Sequence, residues 1–377
     1  MDAALLVINA GSSSVKFALF DDGLNEVLSG VASEIGGASR LEIGGGADAV
    51  AMPDHAAALD AIFGALRARG IDPRTLKAAA HRVVHGGENL TQPMRIDAGV
   101  LAEIAACSPL APLHNPHNLE AIEALARLAP DLVQFASFDT SFHATNPGVA
   151  TRYAIPETDA TRGIRRYGFH GISYAGLVEQ LPEISAASLP RRLLAFHLGN
   201  GASLCAIRDG KSVATTMGYS PLDGLTMGTR SGGIDANAVL KLVEDNGLEA
   251  TRAILNHESG LLGLSGGKSD MRRLMMDPSP KAGFAVEHFV YWTLRHAGSL
   301  MAAMQGLDGI AFTGGIGENA ADVRMRIMEG LRWTGLEIGA GDGAQLHKDG
   351  SPVSAWIVPA REEWMIARDA AGLLGAA

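Results

Sequence analysis

Five short segments of this chain concentrate ionisable side chains beside Gly or Pro: His81-Arg82-Val83-Val84-His85-Gly86-Gly87, Ala111-Pro112-Leu113-His114-Asn115-Pro116-His117, Phe138-Asp139-Thr140-Ser141-Phe142-His143, Arg165-Arg166-Tyr167-Gly168-Phe169-His170-Gly171 and Met227-Gly228-Thr229-Arg230-Ser231-Gly232-Gly233. A lone His or Arg in such a setting reads as structural. Five of them, each next to Gly or Pro in loop-like contexts, make a purely structural reading poor for the set. His114/His117 and His81/His85 have plausible local metal spacings, but no second cluster completes a tetrahedral set, so no zinc site is expected. The only cysteines, Cys107 and Cys205, form no CxxC or Cys/His cluster and read as packed thiols.

A phosphate-binding element is suggested at Ser12-Ser13-Ser14-Val15-Lys16, where hydroxyls and an ammonium follow a Gly turn. Two decoys stand beside it. Gly266-Gly267-Lys268-Ser269 resembles the end of a P-loop, but Leu262 occupies the position of its first glycine. Gly315-Ile316-Gly317-Glu318-Asn319-Ala320 resembles a dinucleotide fingerprint that follows a strand and opens a helix. Its place late in the chain favours a nucleotide-contacting helix start after Gly317 over a complete NAD fold.

The elements that must position these groups repeat. Leu5–Ser14 is an apolar run into a Gly/Ser turn, followed by Val15–Phe20 and a turn at Asp21-Asp22-Gly23. Leu193–Ser203 does the same, followed by Leu204–Ile207 and Asp209-Gly210. Gly11 and Gly199, like Asp21 and Asp209, lie 188 positions apart, half the chain, which favours a duplicated architecture. Each unit predicts a hairpin whose turn N–H groups converge on an anion. Strand-like runs at Val83-Val84, Leu132–Phe138, Gly309–Phe312 and Trp356–Val358 alternate with helical ones at His55–Arg69, Asn118–Leu128, Gly171–Leu181, Ala282–Gln305 and Asn319–Trp333, an α/β pattern. Leu181–Arg191 reads as a surface connection between halves.

Length and composition bound the alternatives. At 377 residues the chain predicts about two domains. Its 46 glycines, without a Gly-X-Y period, belong to folded backbone. A net charge of −10 and the lack of basic runs interleaved with aromatics argue against nucleic acid as a partner. The acidic Asp2 and the lack of a long apolar stretch predict neither signal peptide nor membrane span, hence a cytoplasmic protein.

VINAGSSSVKF, HRVVHGGE, APLHNPHN, FDTSFH, RYGFHGIS, HLGNGAS, TMGTRSG, FTGGIGEN and PAREEWMIARDA together resemble the acetate kinase family, in order and over essentially the whole chain. The resemblance implies a duplicated actin-like (ribonuclease H-like) two-domain fold with its active site in the interdomain cleft. The domains would be residues 1–143 with 364–377, and 144–363, the second binding nucleotide and joining a homodimer. It implies reversible, Mg²⁺-dependent transfer of the ATP γ-phosphoryl group to acetate, with Mn²⁺ as an alternative metal, ADP and acetyl phosphate as products, and a place in acetate metabolism and acetyl-CoA biosynthesis. Propionate or butyrate kinase is the related alternative. An NAD-dependent oxidoreductase or a non-enzymatic actin-like switch is remote, since neither needs the Arg/His set.

By the same resemblance Arg82 and Arg230 supply positive charge, His170 donates a hydrogen bond, His114 supports it, and Asp139 matches the family's acid/base. A carboxylate acceptor is already ionised at neutral pH, so Asp139 is expected mainly to orient Arg82. Asn9 and Glu362 match the magnesium positions, with Glu363 competing. Ser12, Ser14 and Lys16 match the first phosphate hairpin. His197, Leu198, Gly199, Asn200 and Gly201, then Asp270, Met271 and Arg272, then Gly315, Ile316, Gly317, Glu318 and Asn319 match the ATP site. Arg82, Val84, Leu113, Phe169 and Pro221 match the acetate pocket. Ile172 and Tyr174 depart from the family's Thr and His, which is expected to alter hydrogen bonding near His170.

Overall fold

A computed structural model describes residues 4–340 and 343–375. The chain divides into two compact units, one running to Phe142 and resuming at Arg361, the other spanning His143–Ala360.

The first unit is built on an eight-stranded sheet. Its strands are β1 (Leu5–Ala10), β2 (Ser14–Phe20), β3 (Glu26–Ser33), β4 (Arg40–Ile43), β5 (Gly46–Ala49), β6 (Ala78–Val83), β7 (Met94–Arg95) and β8 (Val133–Phe138), in the order β5-β4-β3-β2-β1-β6-β8-β7. Leu5–Ile8 is an unbroken apolar run because β1 lies centrally, parallel to β6 and antiparallel to β2. Helix His55–Ala68 is capped by Asp54, whose carboxylate accepts the Ala57 N–H at 2.8 Å, and buries Leu59, Ile62, Phe63 and Leu66 in the core with Leu6, Ile8 and Phe17. A second helix, Asn115–Leu128, begins three residues before the expected Asn118, because Pro116 is preorganised for a first helical turn. Strands β3 to β5, toward one side of the sheet, have no counterpart among the expected strand runs, because they bury few residues, among them Ala32, Leu41 and Ile43.

Helix Glu362–Gly375 packs on β1, β6 and β8 and buries Met365, Ile366, Ala367 and Ala370. Ser137 Oγ donates to Asp369 Oδ2 at 2.7 Å, tying it to β8. It starts at Glu362 rather than at about Trp364, so both candidate metal carboxylates belong to the first unit.

The second unit carries β9 (Arg192–Leu198), β10 (Ala202–Arg208), β11 (Lys211–Thr215), β12 (Gly309–Thr313) and β13 (Ser354–Ile357), ordered β11-β10-β9-β12-β13. This repeats β3-β2-β1-β6-β8 strand for strand, with two antiparallel and then two parallel pairings. The two sheets define a duplicated α/β fold of the actin-like type. Register equates Asn9 with His197, Arg82 with Thr313 and Asp139 with Ala360.

Two sequence expectations need correction here. Helix Gly171–Ser185 continues through Pro182 instead of ending at Leu181, because a proline so near the C-terminus sacrifices only one intrahelical bond; Ala186, at φ 49°, ends it. The predicted helix Asn319–Trp333 is two helices, Gly314–Asn319 and Ala321–Gly330, broken at Ala320. The first begins at Gly314, not after Gly317. Gly314 has φ +79°, and a Cβ there would lie 2.8 Å from the Leu198 carbonyl oxygen. Arg324 Nη1 bridges the break by donating to the Gly317 and Glu318 carbonyls at 2.9 and 2.7 Å. Among the described residues, no helix is long and apolar enough to cross a membrane.

Candidate active site

In the first unit the ends of three parallel strands bring Asn9, Arg82 and Asp139 together. Arg82 Nε donates to Asp139 Oδ1 at 3.1 Å and Nη2 to Oδ2 at 2.6 Å, while Nη1 reaches Asn9 Oδ1 at 3.2 Å. This is a forked, charge-assisted pair with the carboxylate only 1% exposed. Burial weighs against the charge on Arg82, but Asp139, Glu362 and Glu363 outweigh it and hold its pKa above the ordinary arginine value. Lys16 faces Asn9 across the β1–β2 pair.

Two asparagines quoted in the APLHNPHN motif, but given no role there, hold the strand end that carries Arg82. Asn118 Oδ1 accepts the Val84 N–H at 3.1 Å while its amide donates to the Ala10 carbonyl at 2.8 Å. Asn115 accepts from His85 N at 3.0 Å and donates to its carbonyl at 2.9 Å. Val84 is buried, Leu113 half-exposed, and His114 stands at the start of helix Asn115–Leu128.

In the second unit His170 has a left-handed backbone, φ 59°, and its ring stacks on His197 at 4.0 Å. Its Nδ1 lies 2.9 Å from Ser203 Oγ, which lies 2.6 Å from the Tyr174 hydroxyl. Ser173 Oγ holds His197 Nδ1 at 2.8 Å. Tyr174 is fully buried; burial, before any neighbour, keeps its phenol from ionising until well above the ordinary tyrosine range. In one direction of this chain the phenol donates to Ser203 and Ser203 donates to His170 Nδ1. His170 Nε2 then carries the proton and is a donor.

That donor points at the turn of the β9–β10 hairpin. A Cβ placed on Gly201 would lie 3.2 Å from His170 Nε2 and 3.7 Å from Arg230 Nη1, so Gly201, His170 and Arg230 converge. Arg230 Nη1 also donates to the Pro221 carbonyl at 3.2 Å, and Gly228 N–H to the Asn200 carbonyl at 2.9 Å. Phe169 is buried in the same unit.

The acetokinase family profile matches residues 4–368. The acetate kinase of Methylocella silvestris is 41% identical, the comparison covering 99% of this chain and 98% of that protein. That of Deinococcus radiodurans is 42% identical over 98% of each. The chain belongs to the acetokinase family. Among solved structures, Porphyromonas gingivalis acetate kinase superposes with a TM-score of 0.91 at 34% identity, covering 99% of this chain and 100% of that one. A propionate kinase from Francisella tularensis superposes equally at 35% identity, covering 97% and 98%.

Membership in this phosphotransferase family sets aside the oxidoreductase and switch readings, and the geometry agrees. Helix Gly314–Asn319 has six residues, and Glu318 Oε1 accepts the Gly314 and Ala360 N–H groups at 3.0 and 2.9 Å, so its carboxylate closes the turn. Leu198 and Met271 are buried, so only their main chain is available to a ligand. Asp270 caps helix Met271–Met276; the Arg273 N–H, followed by Arg272, lowers its pKa. Gly315 is the open point, since a Cβ there meets nothing within 4 Å.

The first-unit cluster in this acetokinase fits a hard divalent cation. Asp139, Glu362 and Glu363 set three carboxyl groups against the two cations Arg82 and Lys16. Burial above all, with Asp139 and Glu363 adding to it, pushes the Glu362 carboxyl above its ordinary pKa, while Arg82 opposes this. Asn9 Oδ1 keeps a second lone pair beyond the one facing Arg82. An amide oxygen with carboxylates is the donor set magnesium prefers.

Proposed function

We propose that this chain is an acetate kinase, catalysing reversible transfer of the γ-phosphoryl group of ATP to acetate to give acetyl phosphate and ADP. The observation that carries this reading is the Arg82 fork on Asp139 and Asn9. It holds a guanidinium rigidly at a strand end, where its remaining N–H groups, with a divalent cation held by the neighbouring carboxylates, would draw in a carboxylate that needs no base to become a nucleophile.

An acetate oxygen attacks the γ-phosphorus, the bond from that phosphorus to the β–γ bridging oxygen breaks, and ADP leaves. The chemistry asks for alignment and for positive charge on the equatorial oxygens. Arg82 orients the acceptor, and Arg230 with the Nε2–H of His170 stabilises the transferring group. Asp139 positions Arg82, which suits it better than proton transfer because both its oxygens are engaged by the guanidinium. Asn9 and Glu362, with Glu363 adjacent, would hold Mg²⁺. When bound, that ion neutralises phosphate charge. Ser12, Ser14 and Lys16 on one hairpin, and His197–Gly201 on the other, are assigned to the phosphates. Asp270–Arg272 and Gly315–Asn319 are assigned to the rest of the nucleotide, and Val84, Leu113, Phe169 and Pro221 to the methyl group. A homodimer joined through the second unit, a cytoplasmic location and a supply of acetyl groups toward acetyl-CoA complete the reading.

Incubation with ATP, Mg²⁺ and acetate, propionate or butyrate, trapping acyl phosphate with hydroxylamine, tests it. The largest kcat/KM is expected with acetate. A larger value with propionate or butyrate reassigns the acceptor, and no hydroxamate with any acid overturns the kinase reading.

A further inference from the structure

We propose that His55, His117 and Glu120 form a binding site for one zinc-class divalent ion, separate from the oxygen site at Asn9 and Glu362. Sequence spacing paired His117 with His114 and found nothing to complete a metal set. The fold pairs His117 with His55 instead, the buried first residue of helix His55–Ala68. His117 and Glu120 lie one turn apart on helix Asn115–Leu128 and share a face.

Three ligand atoms lie within 4.8 Å of one another. Glu120 Oε2 is 3.4 Å from His55 Nδ1 and 3.2 Å from His117 Nδ1. Ligands about 2.0–2.1 Å from a tetrahedral ion stand roughly 3.3 Å apart, so both distances already match tetrahedron edges. His55 Nε2 lies 2.7 Å from the Gly11 carbonyl oxygen. A carbonyl can only accept, so Nε2 carries a proton and Nδ1 faces the carboxylate oxygen. That contact needs a cation between nitrogen and oxygen, either a proton or a metal ion. The imidazole–carbonyl bond is also the outer support that orients metal-bound histidines. Two nitrogens and one carboxylate select zinc, cobalt or nickel over magnesium. Glu120 and His117 side chains are 56% and 30% exposed, which leaves a fourth position for water and an exchangeable ion.

Occupancy is coupled to the phosphate hairpin. An ion on Nδ1 withdraws electron density from the ring and strengthens the Nε2–H bond to Gly11, stiffening the turn that carries Ser12 and Ser14.

Metal-stripped protein in saturating Mg²⁺ is titrated with Co²⁺, read by its d–d absorption, and with Zn²⁺ against a chromophoric chelator. One equivalent of Co²⁺ with an intense tetrahedral band is expected. His117→Ala, at a half-buried position, and Glu120→Gln, at an exposed one, are expected to abolish the band and weaken Zn²⁺ at least 10-fold, with unchanged melting in EDTA. Glu362→Gln is expected to titrate like the parent. Absence of the band in the parent means that a proton alone occupies His55 and overturns the proposal. Parent affinity no better than that of His117→Ala, or loss of the site in Glu362→Gln, overturns it as well.

Discussion

The same strand ends in the two units hold opposite kinds of chemistry. In the first, Asn9, Arg82 and Asp139 form a charged fork; in the second their register counterparts are His197, Thr313 and Ala360. Thr313 Oγ1 is buried without a hydrogen-bond partner, and Ala360 has no polar side chain at all. The second unit builds its donor instead from the β9–β10 hairpin and the helix after His170. The hairpins differ in one detail that matters. Four residues, Gly11 to Ser14, separate the pair Ala10–Val15, whereas three, Gly199 to Gly201, separate Leu198–Ala202. Lys16 therefore faces Asn9, but Ser203 faces His197, so a hydroxyl occupies the place of an ammonium. One scaffold has been used twice, once for a charged fork and once for a network of imidazoles and hydroxyls.

Copying the second unit into the first tests that division most severely. Arg82→Thr, which reproduces Thr313, is expected to lower kcat/KM by about 10³-fold or more. It strands a buried carboxylate, at a cost of roughly 3–5 kcal/mol in denaturant unfolding. Activity within 10-fold of the parent would mean that the asymmetry is not catalytic.

His81 offers the next largest contrast, because its counterpart is Phe312. Burial lowers its pKa to about 4, against the pull of Gln134. A depressed folded value means that the unfolded chain binds the proton first. The stabilisation is present above the ordinary value of about 6.5 and is lost as pH falls to about 4, amounting to about 3 kcal/mol. Thermal melts from pH 7 to 4 should show a shallower acid limb in His81→Gln; an unchanged limb removes His81 as the cause.

Glu362→Gln should raise the Mg²⁺ concentration for half-maximal rate by roughly 10–100-fold while the second-unit network is untouched. Equal Mg²⁺ dependence would place the ion elsewhere. Tyr174→Phe is the mildest. Loss of the hydroxyl that directs Ser203 should lower kcat by about 3–10-fold at constant KM, a loss of about 1 kcal/mol of net hydrogen bonding. A changed KM with constant kcat would give Tyr174 a binding role instead.

What the sequence disclosed follows from how local each feature is. The hairpins at Gly11 and Gly199 were legible because turn and flanking strands lie within twenty residues, and Arg82, Asp139, His170 and Arg230 because they sit in dense polar motifs. The equivalence of Arg82 with Thr313 was hidden, since the connections from β1 to β6 and from β9 to β12 differ in length and no constant offset links them. Asn115 and Asn118 were quoted without a role because their partners are main-chain groups, which carry no sequence signature. Ser203 escaped for a related reason, as its link to His170 spans a strand and a helix, although Tyr174 stood out as a departure expected to alter hydrogen bonding near His170. The break at Ala320 depends on Arg324 reaching back to carbonyls, which periodicity does not encode.

The helix Glu362–Gly375 also imposes an order of synthesis. A ribosome makes β1, β6 and β8 early and then adds the 218 residues of His143–Ala360 before the helix that covers them exists. Throughout that interval the sheet lacks Met365, Ile366, Ala367 and Ala370, and the nascent chain carries an uncovered apolar face that invites misassembly or chaperone capture. The first unit to be translated is thus the last to be finished, and its acidic cluster at Glu362 is assembled only in that final step.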